Sequence, residues 1–453
     1  MPDRGFDPLS RRAFLQTSAA LTAGFALPSY VYAVGADTIR VGLIGCGGRG
    51  TGAALQCLEA SETVHLVAMG DVMPDRLASS RKNIAEGIAE RMPGAAARFK
   101  VTDDTAFTGF DAYNQVLGAG VDLVILATPP GFRPLHLAAA VDAGKHVFAE
   151  KPVATDVAGI RSVLATYEKA QQKGLGIGVG TQRRHHAGYI EVMNRIRDGA
   201  IGDVLNGQVY WNQGGLWSRE QQEGWSDTEW QIRNWLYFAW LSGDHIVEQH
   251  VHNIDVANWV MGGPPIRAVG VGGRQSRTAP VYGHIYDHFA IDYEYPSGVH
   301  IMSMSRQIQG ARGRNGEWFQ GSKGSSHTSE SGPQALLGTS AYEWNRPEEF
   351  VSPMVQEHKD LIASIQAGRP RNDLKRIAES NLTAIMGREA AYTGQIIEWE
   401  ELLAAEQSLA PTALADVQFG SLEVPPVPVP GRTQVARGFI EGWMADLPPR
   451  RTR

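Results

Sequence analysis

The chain has 453 residues, 43% hydrophobic and 20% charged, too long for one ordinary core and too apolar for a disordered or fibrous protein. A formal net charge of −6 offers no basic stripe to displace counterions, so nucleic acid is not expected as a partner. Only Cys46 and Cys57 are available for a bridge; the reading below places them in a loop and the helix it opens, which excludes a disulfide framework.

The first feature along the chain stands apart from the fold. Ser10-Arg11-Arg12-Ala13-Phe14-Leu15 precedes an Ala/Leu-rich run from Ser18 to Leu27, then Val31-Tyr32-Ala33. A paired arginine, a weakly apolar run too short to span a bilayer and small residues before a cut point are the parts of a twin-arginine export signal. Cleavage is expected after Ala33, with Ala36 as second choice; an uncleaved anchor or a frayed arm is the alternative. Residues 1–33 are thus expected to engage the twin-arginine machinery. The product would be periplasmic or otherwise exported, with no membrane integration after cleavage.

From Thr38 short apolar runs alternate with helical stretches. Strands are expected at Ile39–Ile44, Val64–Met69, Val121–Ala127 and His146–Ala149, with helices at Thr51–Ala60, Asp75–Arg91 and Leu135–Ala143. Strands apolar throughout and separated by helices imply a doubly wound parallel sheet covered on both faces. Asp156–Lys173 reads as a further helix and Leu175–Gly180 as a further strand. Beyond residue 203 the texture changes: Val204–Trp211, Ile266–Val271, His288–Tyr295 and Val299–Arg306 read as strands, the last two joined by the turn Pro296-Ser297-Gly298. A second, α+β domain with a large open, mainly antiparallel sheet follows. The helices Val355–Ala367 and Leu374–Tyr392 come next, the latter stopped by Gly394. Pro425, Pro426, Pro428 and Pro430 mark an extended strap. The expected organisation is an export signal at 1–33, a nucleotide domain at 37–155, a substrate and oligomerisation domain at 156–395 and a strap at 396–453.

The first strand runs into Gly45-Cys46-Gly47-Gly48-Arg49-Gly50. Gly45, Gly47 and Gly50 match G-x-G-x-x-G: one glycine for the tight turn, one for close approach of backbone to a pyrophosphate, one for close helix–strand packing. The helix N-terminus then faces the phosphates. Asp71, 21 residues past Gly50, ends the second strand, where a carboxylate accepts both ribose hydroxyls and repels a 2′-phosphate. NAD is therefore preferred to NADP, although Arg76 is near in sequence and Arg49 is able to reach a phosphate. Since the periplasm has no ready pool of free nicotinamide nucleotide, the cofactor is expected to be retained through export.

At the end of the fourth strand stand Thr128-Pro129-Pro130, then His136, then Ala143-Gly144-Lys145-His146-Val147-Phe148-Ala149-Glu150-Lys151-Pro152. This succession resembles the Gfo/Idh/MocA oxidoreductases, whose hallmark is Glu-Lys-Pro after the fifth strand, and the likeness runs from about residue 38 to 395. The resemblance implies an N-terminal Rossmann fold, a C-terminal open sheet and a pocket at their seam. Thr128, Pro129, His136, Glu150 and Lys151 would lie along the cofactor, together with the glycine turn and its Gly48 and Arg49. Lys151 would contact the reacting oxygen, presented by a Pro152 that is often cis. Its position beyond a buried strand at the carboxyl edge of the sheet is also where open α/β sheets bind ligands. Family members mostly oxidise or reduce sugars and polyols, and the resemblance implies a homodimer or homotetramer packed through the open sheet.

A second family signature, an aspartate four residues before a histidine and then H-x-x-D, is matched within Gly243–Asp255 by His252 and Asp255, with Glu248 at the aspartate position. On one continuous helix His245, Glu248, His252 and Asp255 share a face. His252 is read as the base that takes the hydroxyl proton, Lys151 as stabilising the alkoxide, and Glu248 as orienting the imidazole. His245 and His250 are read as core residues. Glu248, His252 and His245 also have metal-ligand spacing, but no further ligand set accompanies them and no metal is expected. Trp211, Trp217, Trp225, Trp230, Trp235 and Trp240 fall within 30 residues. Such rings stack on pyranoses or build cores, and Trp217, Trp225 and Trp230 are the better carbohydrate candidates. Arg184 and His185, after another strand end, and Asp255 are expected to line the same pocket. The favoured activity is hydride transfer at a hydroxyl or carbonyl carbon of a sugar, polyol or glycoside. Glycoside cleavage by transient oxidation and elimination is the first alternative, and non-catalytic sugar binding the second.

Overall fold

The computed structural model describes residues 38–434; the export reading at residues 1–33 lies outside them. Two sheets organise this part of the chain. The first contains β1 (Ile39–Ile44), β2 (Val64–Asp71), β3 (Ala106–Thr108), β4 (Leu123–Leu126), β5 (His146–Ala149) and β6 (Ile177–Val179) in the order β3-β2-β1-β4-β5-β6. Every pairing is parallel, and β4, β5 and β6 are buried at every residue. The order reverses between β1 and β4, and it is at such a switch point, beyond the carboxyl ends, that open sheets bind ligands. This is the six-stranded Rossmann sheet. It takes in β6 and the helix Val157–Gln172, residues expected in the second domain.

The second sheet holds β7 (Val204–Gln213), β8 (Arg267–Gly273), β9 (His288–Glu294), β10 (His300–Gln307), β11 (Arg314–Gly321), β12 (Gly324–Thr328), β13 (Gln334–Gly338), β14 (Tyr342–Glu343) and β15 (Ile397–Glu398). The order is β14-β13-β12-β11-β7-β10-β9-β8-β15. Only β7 and β10 run parallel; the other pairings are antiparallel. Alternation along β10, with Ile301, Ser303 and Ser305 buried and Met302 and Met304 exposed, gives the sheet one covered and one open face.

Helices cover the inner face. Leu374–Thr393, nearly all buried, packs on β8, β9 and the helix Val157–Gln172 and ends at Gly394 with φ 72°. The expected continuous helix through Gly243–Asp255 is broken into His245–Glu248 and Val251–Met261. The strap is not a free extension. Ala158 donates to the Gln407 carbonyl, Leu409 to Asp156, Gln231 to the Leu422 carbonyl and Gly431 to the Thr393 carbonyl.

Candidate functional site

The glycine turn is shaped by contacts that only glycine permits. Gly45 has φ 98°, and a Cβ there would lie 2.5 Å from the Ala127–Thr128 backbone; a Cβ on Gly50 would lie 1.9 Å from the Gly45 carbonyl oxygen. Cβ atoms on Gly47 and Gly48 would meet no protein atom within 4 Å. Those two glycines are therefore not explained by packing. Their bare backbone faces a cavity of about 460 Å³ at the switch point. The helix Gly48–Ala60 starts there with no side-chain cap, leaving its first amides free for an anion. Asp71 accepts from the Cys46 amide (2.6 Å) and the Met73 amide (2.8 Å). Burial pushes its carboxyl up while these amides pull it down. The residues present fit a dinucleotide: bare backbone for a pyrophosphate, and a carboxylate a strand away for a ribose.

Thr128 and Pro129 line this cavity at the end of β4, as do Gly48, Arg49 and His136. The Thr128 hydroxyl lies 3.1 Å from His136 Nδ1, and burial lowers that imidazole to about 3, leaving it neutral. Arg49 is already engaged: it reaches Glu150 at 2.5 Å and Gln56 at 2.7 Å, with Glu357 at 3.6 Å. It thereby joins the glycine turn to the turn after β5 rather than standing free for a phosphate. Glu150 binds Arg49 and is a buried strut in that link.

One strand over, Lys151 follows β5 and precedes Pro152 across a cis peptide bond. Its ammonium donates to the Glu248 carboxylate and carbonyl, both at 2.7 Å. The cavity lining does not include Lys151, Glu248 or His252; Lys151 and Glu248 are bonded to each other in the interior, and buried His252 lies within reach of the Lys151 charge. Burial, and then the Lys151 ammonium, hold the His252 imidazole well below its usual value. It is neutral at pH 7 and available to take a proton. Its ring stacks on Trp211 at 5.7 Å. The helix break puts Glu248 and His252 on two successive short helices, with Lys151 bonded to the first. Asp244, at φ 77° and fully buried, anchors the break by accepting from the Tyr286 amide and the Tyr392 hydroxyl.

Several buried polar atoms around this trio have no hydrogen-bond partner: Glu248 Oε2, His245 Nε2, Gln213 Nε2, Ser305 Oγ and Gln307 Nε2. Register places them together. Ser305 pairs with Trp211 and Gln307 with Gln213 on the inner face, and Trp211 donates to Gln213. Unpaired buried donors and acceptors cost about 1–3 kcal/mol each, so their gathering beside Lys151 and His252 marks a place built to hold hydroxyls. The sequence reading did not single out Gln213, Ser305 or Gln307; inward parity on β7 and β10 is the signal that finds them.

Other expected substrate contacts are spent elsewhere. Arg184 and Asp255 form a bidentate pair at 2.8 and 3.0 Å, and Ser380 adds a bond to the carboxylate. Burial pushes Asp255 up, but Arg184 and Arg376 outweigh it and leave the carboxyl at about 2. His185 is buried against Asp360 at 2.5 Å. Trp230 is a core residue, 8% exposed, donating to the Arg219 carbonyl. Trp225 lies under the Arg233 guanidinium. Trp217 and Trp235 do line a cavity, but it is the one beside the glycine turn. His250 is satisfied by Ser303 in the core. Among the described residues no three His, Cys, Asp or Glu side chains converge as a metal centre; Glu248 gives one oxygen to Lys151 instead. Cys46 and Cys57 are buried and free.

Comparison with known proteins bears on the same residues. Residues 39–180 match the model of an oxidoreductase family with an NAD-binding Rossmann fold, Gfo/Idh/MocA. Residues 189–327 match that family's C-terminal domain. An inositol 2-dehydrogenase of Saccharopolyspora erythraea is 28% identical over 267 residues, 58% of this chain and 65% of the relative. A glycosyl hydrolase family 109 protein of Solibacter usitatus is 29% identical over 177 residues, 39% of this chain and 37% of the relative. The chain therefore spans about two thirds or less of the length of these relatives. In fold it is similar to an aldose–aldose oxidoreductase of Caulobacter crescentus, with TM-score 0.63 and 19% identity, over 80% of this chain and 99% of that one.

Proposed function

The chain belongs to the Gfo/Idh/MocA oxidoreductase family, and on that premise we propose that it transfers hydride to or from a hydroxyl-bearing carbon of a sugar, polyol or glycoside. The single observation that carries this is the convergence of Lys151, Glu248 and His252 two strands from the glycine turn, beside a cluster of unpaired buried polar atoms. The dinucleotide, when bound, supplies the hydride acceptor or donor. The chain supplies the rest. Lys151 holds the reacting oxygen and favours its alkoxide form. Neutral His252 takes the hydroxyl proton and returns it in the reverse direction. Glu248 fixes the ammonium, a role different from the imidazole-orienting one expected for it. Trp211 offers a flat apolar surface beside the imidazole, suited to a ring's C–H face.

Asp71 favours NAD over NADP, and the paired arginine and apolar run of residues 10–33 support export through the twin-arginine route. An exported enzyme without a free nucleotide pool keeps its NAD(H) and regenerates it on a second substrate or on the same one. The open sheet face supports a homodimer or homotetramer. A second reading, glycoside cleavage by oxidation, elimination and reduction, is favoured by the match to the family 109 protein. Purified protein is denatured and assayed for released NAD(H), and bound-nicotinamide fluorescence is followed against sugars and chromogenic glycosides. A nicotinamide signal that changes with a sugar supports the oxidoreductase; aglycone release without net cofactor change selects the second reading. Folded protein carrying no nicotinamide, and binding none when it is added, overturns both.

A further inference from the structure

The cavity beside the glycine turn has two kinds of wall. One is Rossmann: the glycines, Asp71 and Thr128. The rest of the lining comes from far along the chain, from Trp217, Arg219, Arg233 and Trp235 of the segment after β7 and from Leu414 and Ala415 of the C-terminal strap. These far pieces are fastened to the Rossmann side and to one another. Arg233 makes a bidentate pair with Asp75 at 2.9 and 3.0 Å, four residues beyond Asp71. Phe419 of the strap packs edge-on against Phe110, which also lines the cavity, at 4.9 Å. The strap is then stitched to the helix Asp227–Arg233. The Gly420 carbonyl accepts from the Thr228 amide and hydroxyl at 3.1 Å, and Gln231 donates to the Leu422 carbonyl at 2.8 Å.

The chemistry of this wall fits the ligand proposed for the Rossmann one. Trp217 and Trp235 meet edge to face at 6.2 Å, yet Trp217 is 44% exposed. A large aromatic left this open on a cavity is poor packing in the free chain and good stacking surface for a base. Arg76, Arg219 and Arg233 all line the same cavity. Arg233 is neutralised by Asp75 and Glu229, while the Arg219 guanidinium, placed over the Trp217 ring at 5.6 Å, has no carboxylate partner among the described residues. An unneutralised guanidinium and an uncapped helix terminus lining one cavity suit a phosphate group.

We propose that the segment carrying Trp217, Arg219 and Arg233, closed by the strap around Phe419, is a clasp that grips the dinucleotide together with the glycine turn and sets its release rate. This rests on the NAD reading above. The exit of a dinucleotide requires the Arg233–Asp75 pair or the Phe110–Phe419 contact to open, which makes retention a property of this clasp and not of the Rossmann half alone.

The test uses the full chain loaded with radiolabelled NAD⁺ and chased with excess unlabelled NAD⁺, for wild type, Trp217→Ala, Arg233→Ala and Phe419→Ala. Release is expected to quicken at least tenfold in each variant. Trp217→Ala keeps the test decisive if Arg233→Ala fails to fold, because its ring lies on the cavity surface. Equal release from wild type and the folded variants, within twofold, overturns the clasp while leaving the NAD reading standing. Folded wild-type protein that carries no copurified nicotinamide and binds no labelled NAD⁺ overturns both.

Discussion

Glu248 gives one carboxylate oxygen to the Lys151 ammonium and keeps the other buried without a partner, and the two residues are best understood as a preset pair. Losing the ammonium removes a donor aimed at the reacting oxygen, so Lys151→Ala is expected to slow hydride transfer by about 10²–10³. Its NAD affinity should stay within a few fold, since the glycine turn is untouched; single-turnover nicotinamide fluorescence and NAD titration measure the two separately. His252→Ala is expected to cost about 10²–10⁴ in the same assay. Buried histidines set a second, independent expectation. Burial lowers His136, His245 and His250 to about 3 and His146 and His284 to about 4. In the unfolded chain each returns to about 6.5 and binds a proton that the folded state refuses. Stability is therefore complete above pH 6.5 and drains as pH falls below it. Between pH 7.5 and 5.5 the loss is about 1 kcal/mol per histidine, read as a falling urea midpoint. Asp244, which burial raises to about 6, gains stability over the same range, but it is one group against five; a midpoint that does not fall refutes the assignment of neutral, buried imidazoles.

Within the glycine turn, neighbouring positions are expected to respond in opposite ways. A Cβ on Gly50 collides with the Gly45 carbonyl at 1.9 Å, whereas one on Gly48 meets nothing within 4 Å. Gly50→Ala should destabilise the fold by several kcal/mol, in the range of other overpacked or strained sites. Gly48→Ala should leave thermal stability within about 1 kcal/mol and weaken NAD binding at least tenfold, because its methyl takes the space a pyrophosphate approaches through. Calorimetry with NAD titration on both variants checks the pair, and a Gly48→Ala protein binding NAD normally would remove the pyrophosphate from that space. This turn was legible in the sequence because its glycines, its flanking strand and Asp71 carry one pattern at fixed spacing. The parallel strands were legible too, as unbroken apolar runs. β11 to β14 were not: Arg314–Gly321 and Gly324–Thr328 are rich in glycine, serine and charge, and gain strand form only by pairing, the first with β7 and the second with the first. The same limit explains Arg184 and Asp255. Their residue types suit a substrate site or an ion pair equally well, and only the fold brings them within 2.8 Å of each other.

The open face of the nine-stranded sheet poses the question of the whole molecule. Register aligns Val271, Ala290, Met304 and Tyr210 in one row across four strands, and Val269, Asp292, Met302 and Gln208 in the next. Val269, Val271, Met302 and Met304 are 47%, 69%, 39% and 37% exposed. The first row is apolar throughout, and the second sets Val269 and Met302 beside Asp292 and Gln208; exposed apolar surface of this kind suits the proposed association, and a second copy meeting it about a two-fold axis would bury the same patch on both partners. The rows lie across the sheet from the inner face that carries Trp211 and Ser305. Association would thus stiffen the sheet without blocking the site. Val271→Glu with Met304→Glu should convert a dimer or tetramer to a lower-order species in analytical ultracentrifugation, because two carboxylates per copy would be carried into a desolvated contact. The cofactor cavity and the Lys151–Glu248 pair lie outside this face, so NAD binding should survive the change. A wild-type chain that sediments as a monomer at micromolar concentration would leave the exposed rows without the partner argued here.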